Sequence, residues 1–207
     1  MLEILTMLGI GFGVGLTGAL VPGPMLFATI ETSLKKGWTS GPLVVSGHAL
    51  VEVLLFIVIV SGFSTLATQG AILWISVIGG AVLVVFGILT IKEGKHATLS
   101  GGSSVFNSPF AAGVITSVSH PYFWLWWLTA GAGLVLMGLE TSLFAAFIFL
   151  LGHLMADLGW FTFVSTAISR GKSLMSEGTY QHVLMGCGGF LVVFGVWFMG
   201  SQLNLYY

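Results

Sequence analysis

The sequence predicts an all-α integral membrane protein whose six transmembrane helices form two inverted three-helix repeats, with helices 1 and 4 broken at proline-containing motifs. Three observations lead there. Of 207 residues, 56% are hydrophobic and only 6% charged, with a mean hydropathy of +1.04, far outside the range of soluble domains. Apolar stretches of about 20 residues recur six times between short polar connectors. The second half of the chain repeats landmarks of the first in the same order. A helical bundle is favoured over a barrel, because runs such as Leu50–Val60 are apolar on every side instead of alternating. The 30 glycines supply the small surfaces on which helices approach in lipid. A net charge of -1 with scattered basic residues leaves no footprint for nucleic acid. The lone Cys187 excludes an intrachain disulfide or a CxxC redox pair.

Segment one covers roughly residues 4 to 34. Its start, MLEILTMLGIG, has no basic residue before the apolar run and reads as a retained first span. In its middle lies LVPGPML, Leu20–Leu26, where Pro22 and Pro24 each remove a backbone donor and push a ring against the preceding turn. Segments two and three cover roughly 42 to 62 and 71 to 91, and a polar connector, residues 92–108, separates repeat one (1–91) from repeat two (109–207) within a single domain, 1–207. Segments four, five and six cover roughly 109 to 137, 141 to 169 and 181 to 203. Segment four carries SVSHPYFWLWW, with a second break at His120-Pro121, and its aromatic run offers Tyr122, Trp124 and Trp126 as ring faces for a ligand cation.

All six basic residues, Lys35, Lys36, Lys92, Lys95, Arg170 and Lys172, fall in the first, third and fifth connectors. By the positive-inside rule those connectors are cytoplasmic and both termini extracytoplasmic. Segment two contains GHALVEVLLF (Gly47–Phe56) and segment five GHLMADLGWF (Gly152–Phe161); segment three contains GAVLVVFG (Gly80–Gly87) and segment six GGFLVVFG (Gly188–Gly195). An odd number of crossings per half turns the second half upside down, the architecture in which two halves rock around a midplane site. A duplicated scaffold without transport is the plainer alternative.

Glu52 and Asp157 lie near the centres of their segments, where an ionisable group costs about 2.5 to 3.5 kcal/mol to insert and is a functional candidate. His48 and His153 precede them by four residues, which puts each histidine on the face of its acid. Such pairs can exchange protons or receive a substrate ammonium group. The same four residues, His48, Glu52, His153 and Asp157, are also plausible ligands of a divalent metal. A purely structural role, each histidine bonding its acid, is the competing reading. Glu31 and Lys35, spaced i,i+4, read as a local ion pair.

The run GLTGALVPGPMLFATIETSLKKGWTSGPLVVSGHALVE resembles the lysine exporter (LysE/RhtB) family of amino-acid exporters, in which a PGP motif precedes a basic turn and spaced glycines. Here these are Pro22, Gly23 and Pro24, then Lys35, Lys36 and Gly37, then Gly41 and Gly47, with Glu52 at the acidic position that follows. The second-half motif of such exporters is commonly Asn-Pro, where this chain has His120-Pro121. The resemblance implies an efflux carrier for amino acids or related small metabolites, driven by the proton gradient; the wider superfamily includes metal-ion exporters.

The expected function is therefore secondary-active export with alternating access, from a multi-pass position in the plasma (inner) membrane. Substrate contacts are expected from Pro22, Gly23, Pro24, Met25, His120, Pro121 and Tyr122, because the helix ends at the two breaks present amides suited to a carboxylate. Proton coupling is expected from Glu52, Asp157, His48 and His153. No cofactor is implied, and a homodimer is one option for so small a bundle. Two alternatives differ in cargo or class: divalent-metal export, and an intramembrane enzyme, for which Ser46 or Ser119 beside His48 or His120 lacks oxyanion-building surroundings.

Overall fold

In a computed structural model of the chain, which describes residues 2–20, 23–62, 69–98 and 106–203, every regular element is helical. The helices are α1 (Leu2–Ala19), α2 (Pro24–Lys36), α3 (Ser40–Val60), α4 (Gln69–Gly94), α5 (Pro109–Val118), α6 (Pro121–Trp126), α7 (Ala132–Thr141), α8 (Leu143–Gly171) and α9 (Glu177–Leu203). A π-helical turn, Trp127–Gly131, joins α6 to α7, and a 3-10 turn, Lys172–Leu174, follows α8. Among the described residues four helices are long and apolar enough to cross a membrane: Leu2–Ala19, Ser40–Val60, Leu143–Leu174 and Glu177–Trp197.

The boundaries follow from local chemistry. Gly37 ends α2 at φ 87, a left-handed conformation that favours glycine, and its N–H donates to Ser33 O at 2.9 Å. Ser108 and Ser142 cap α5 and α8 by accepting from the amides of Ala111 and Ala145. The expected interruptions fall between α1 and α2 and between α5 and α6, with Pro24 and Pro121 each at the start of the following helix, where a missing N–H costs nothing. Pro22 lies outside the described residues.

Three helix pairs hold the bundle: α1 with α8, α3 with α5, and α4 with α9. Each is a close glycine crossing. A Cβ at Gly11 would overlap the carbonyl oxygen of Phe149, and one at Gly152 that of Leu8; a Cβ at Gly47 would overlap the carbonyl oxygen of Phe110, and one at Gly113 that of Val44. The third crossing has the same reciprocity, with Gly80 against Gly195 O and Gly87 against Gly188 O, and the converse contacts from Gly188 and Gly195. Such backbone contact is how helices gain van der Waals attraction where lipid supplies no hydrophobic drive.

Buried apolar clusters lie to either side of the bundle's middle. One gathers Met7, Phe56, Ile59, Trp127, Val135 and Phe149; another gathers Leu34, Ala97, Tyr180 and Leu184. Glu31 and Lys35 pair at 2.9 Å as the spacing predicts, with both side chains buried.

Candidate functional site

Between those clusters the two helix interruptions face the middles of α3 and α8 across a cavity of about 560 Å3. Gly23, Pro24 and Met25 line it from the start of α2, and His120 and Tyr122 from the second interruption. His48 and Glu52 contribute from α3, His153 and Asp157 from α8. Nine of the expected site residues are thus brought to one space, and Pro121 opens α6 beside it.

At the floor the two histidine-acid pairs close into a ring of alternating nitrogen and oxygen. His48 Nε2 lies 3.1 Å from Glu52 Oε1 and 3.6 Å from Asp157 Oδ2; His153 Nε2 lies 3.0 Å from Glu52 Oε1 and 3.7 Å from Asp157 Oδ2. The i,i+4 spacing accounts for the pair on each helix, and the packing of α3 near α8 brings the pairs together. All four residues are buried, from 1% exposed at Glu52 to 9% at His48.

The two acids are not equivalent. Glu52 Oε1 accepts from Trp127 Nε1 at 3.1 Å and lies within hydrogen-bond distance of Nε2 of both histidines, so three nitrogens converge on it. Asp157 Oδ2 stands beyond hydrogen-bond reach of both imidazoles and, like Glu52 Oε2, has no hydrogen-bond partner among the described residues. The histidines differ too. His48 Nδ1 lies 2.6 Å from Ser117 Oγ, which itself donates to Gly113 O at 2.6 Å, whereas buried His153 Nδ1 has no partner among the described residues. Ser117 stands four residues after Gly113 on α5, and four residues after Gly11 on α1 stands Gly15, packed against His153.

The helix starts also diverge. α2 begins at Gly23, which has no side chain to cap it, and the amides of Leu26 and Phe27 turn back to Gly23 O. α6 is capped by His120, whose Nδ1 accepts from Phe123 N at 3.1 Å. The amides of Phe123 at α6 and of Leu26 and Phe27 at α2 are therefore all engaged internally, and the two starts differ in that α2 carries no side-chain cap.

Three of the residues that shape this site carried little signal in the sequence. Trp127 sits in a run that reads as interfacial aromatics, and only the π turn directs it inward; Gly131 makes room, since a Cβ there would lie 2.9 Å from the Trp126 ring and 3.0 Å from that of Trp127. Trp126 lines the cavity, while Trp124 donates its Nε1 to Val118 O at 2.8 Å and serves the α5 terminus. Ser117 and Phe194 had no spacing to distinguish them. Ser46 is exposed and donates to Leu43 O, and makes no contact with His48.

The sequence profile of the LysE type translocator family matches residues 16–202. The chain is 28% identical over 168 residues to the protein described as uncharacterized membrane protein YahN of Escherichia coli (strain K12), covering 78% of this chain and 74% of that relative. No solved structure matches significantly.

Proposed function

We infer that this chain, which belongs to the LysE type translocator family of membrane proteins, exports amino acids or related small metabolites by secondary, proton-coupled transport. The observation that carries the reading is the ring: two histidine-acid pairs from separate halves meet on the floor of a cavity bounded by two helix interruptions. Intramembrane ionisable residues at that depth are costly and mark solute or proton paths.

The binding mode follows from the asymmetries. A solute carboxylate sits at the uncapped start of α2, at Gly23, Pro24 and Met25, where the Met25 amide and the positive end of the helix dipole favour an anion. Its ammonium group is received by Asp157, whose Oδ2 has no hydrogen bond among the described residues, while Glu52 is held by the Trp127 indole and faced by both imidazoles. Tyr122 and Trp126 close the cavity around the solute body. Glu52, Asp157, His48 and His153 carry the coupling protons.

Alternating access is supported by the reciprocal glycine crossings. Exchanging the halves turns the Gly11 and Phe149 contact into that of Gly113 and Val44, and the Gly80 and Gly195 contact into that of Gly188 and Gly87. Two inverted three-helix repeats, 1–91 and 109–207, joined by the 92–108 connector in one six-span transporter domain, would produce this reciprocity and can rock about the shared ring. The plasma membrane, with both termini outside, remains the orientation the basic connectors favour.

The test is efflux from proteoliposomes holding a panel of radiolabelled amino acids under an imposed pH gradient. Gradient-dependent flux of at least one, lost in Asp157→Asn, is expected. No flux of any small solute would sink the exporter assignment, and flux indifferent to the gradient would remove proton coupling.

A further inference from the structure

The ring has a donor set that an ammonium ion does not need. We propose that His48, Glu52 and Asp157, with His153 closing the fourth side, form a binding site for one divalent transition-metal ion such as Mn2+ or Zn2+. The proposal goes beyond the exporter reading and does not depend on it.

Geometry comes first. The four nitrogen-to-oxygen edges are 3.1, 3.0, 3.6 and 3.7 Å. Ligands held tetrahedrally at about 2.1 Å from an ion stand about 3.4 Å apart, a spacing close to each of these four edges. The ligand atoms of His48, Glu52 and Asp157 all lie within 4.8 Å of one another.

The chemistry of the donors agrees. Mixed imidazole and carboxylate ligation suits first-row divalent ions. An ammonium ion only donates, and two imidazole edges facing it add nothing that a pair of carboxylates lacks. The two carboxylates together balance the charge of one divalent ion.

A second and independent observation is the shell behind His48. Metal-bound histidines donate their other ring nitrogen to a fixed acceptor, which sets the tautomer and aims the ligand nitrogen. Ser117 Oγ, committed as donor to Gly113 O, is that acceptor for His48 Nδ1 at 2.6 Å, leaving Nε2 to face the ring. His153 has no such acceptor among the described residues, which makes it the weakest of the four ligands. Glu52 Oε2 and Asp157 Oδ2 are buried in the same space without a hydrogen bond among the described residues, two acceptors able to take up a cation.

The experiment is isothermal titration of the purified full-length chain in detergent with Mn2+ and with Zn2+, after stripping with a chelator. One ion per chain is expected, accompanied by a rise in Tm. Asp157→Asn and His48→Gln should each weaken binding by about 100-fold or more, Ser117→Ala by about 10-fold as an outer-shell partner, and His182→Gln, at an exposed position in the first turns of α9 where Nδ1 lies 2.6 Å from Gly178 O, not at all. Ser117→Ala keeps the result interpretable should either ligand variant fail to fold. Saturation in the millimolar range only, or unchanged affinity in all three variants, would overturn the site. Metal binding without solute flux would leave the site standing and remove the exporter reading; flux without metal binding would do the reverse.

Discussion

Replacing Gly113 by alanine tests the close crossing of α3 and α5 and, through it, the geometry of His48. The new methyl would overlap the Val44 carbonyl oxygen and stand 3.0 Å from the His48 amide nitrogen. Ordinary carbon contacts need about 3.5 Å, so the helices must separate by about 1 Å at this point. One turn along α5, Ser117 Oγ would then move from 2.6 Å to beyond hydrogen-bond distance of His48 Nδ1. Overpacking costs about 1 to 3 kcal/mol, and an interhelical hydrogen bond in a membrane is worth about 0.6 to 1.7 kcal/mol. Together they amount to a loss of about 2 to 5 kcal/mol in reversible unfolding by mixed micelles. Gly11→Ala, which meets Phe149 O across the α1 and α8 crossing, should lose a similar packing share, while Gly133→Ala, with nothing within 4 Å of the added carbon, should stay within about 0.5 kcal/mol of the parent. An unfolding curve for Gly113→Ala that overlays the parent's would refute the crossing geometry.

Other outcomes follow from the same contacts. Glu52→Gln should fold yet lose at least about 100-fold in flux, since it removes the charge on which His48, His153 and Trp127 converge; flux near the parent's would make that convergence structural only. Trp127→Phe removes one donor to Glu52 and should lower flux by about 10-fold with a stability cost of about 1 to 2 kcal/mol, measured in the same liposomes and micelles. Pro22→Ala with Pro24→Ala should abolish flux by closing the interruption, and transport by an unbroken helix would leave the motif a packing role alone. His120→Asn should behave as the parent because an asparagine oxygen can also cap α6, whereas His120→Ala should cost about 1 kcal/mol.

That interchangeability explains the departure at His120-Pro121 from the commoner Asn-Pro: both side chains accept from the amide three residues on, and the local demand is for a cap. The membrane class, the two interruptions and the histidine-acid faces were legible because each rests on local features: hydropathy, proline chemistry and i,i+4 spacing. What escaped the sequence depends on contacts between distant segments. Nothing near Glu52 announces that Trp127 will donate to it, because a π turn 75 residues later sets that ring's direction. The equal spacing of the two pairs also hid their inequality, which arises from Ser117 on one side and Gly15 on the other.

If the halves alternate as proposed, that single hydroxyl bears on which way the molecule rests. In a cycle whose two end states exchange the roles of the halves, perfectly matched halves would populate both ends equally. A bond made by His48 and not by His153 breaks the tie: at about 0.6 to 1.7 kcal/mol it weights the two ends by roughly 3- to 20-fold. The resting orientation of the transporter would then be written in one serine, and removing it would bring the two orientations nearer to even occupancy.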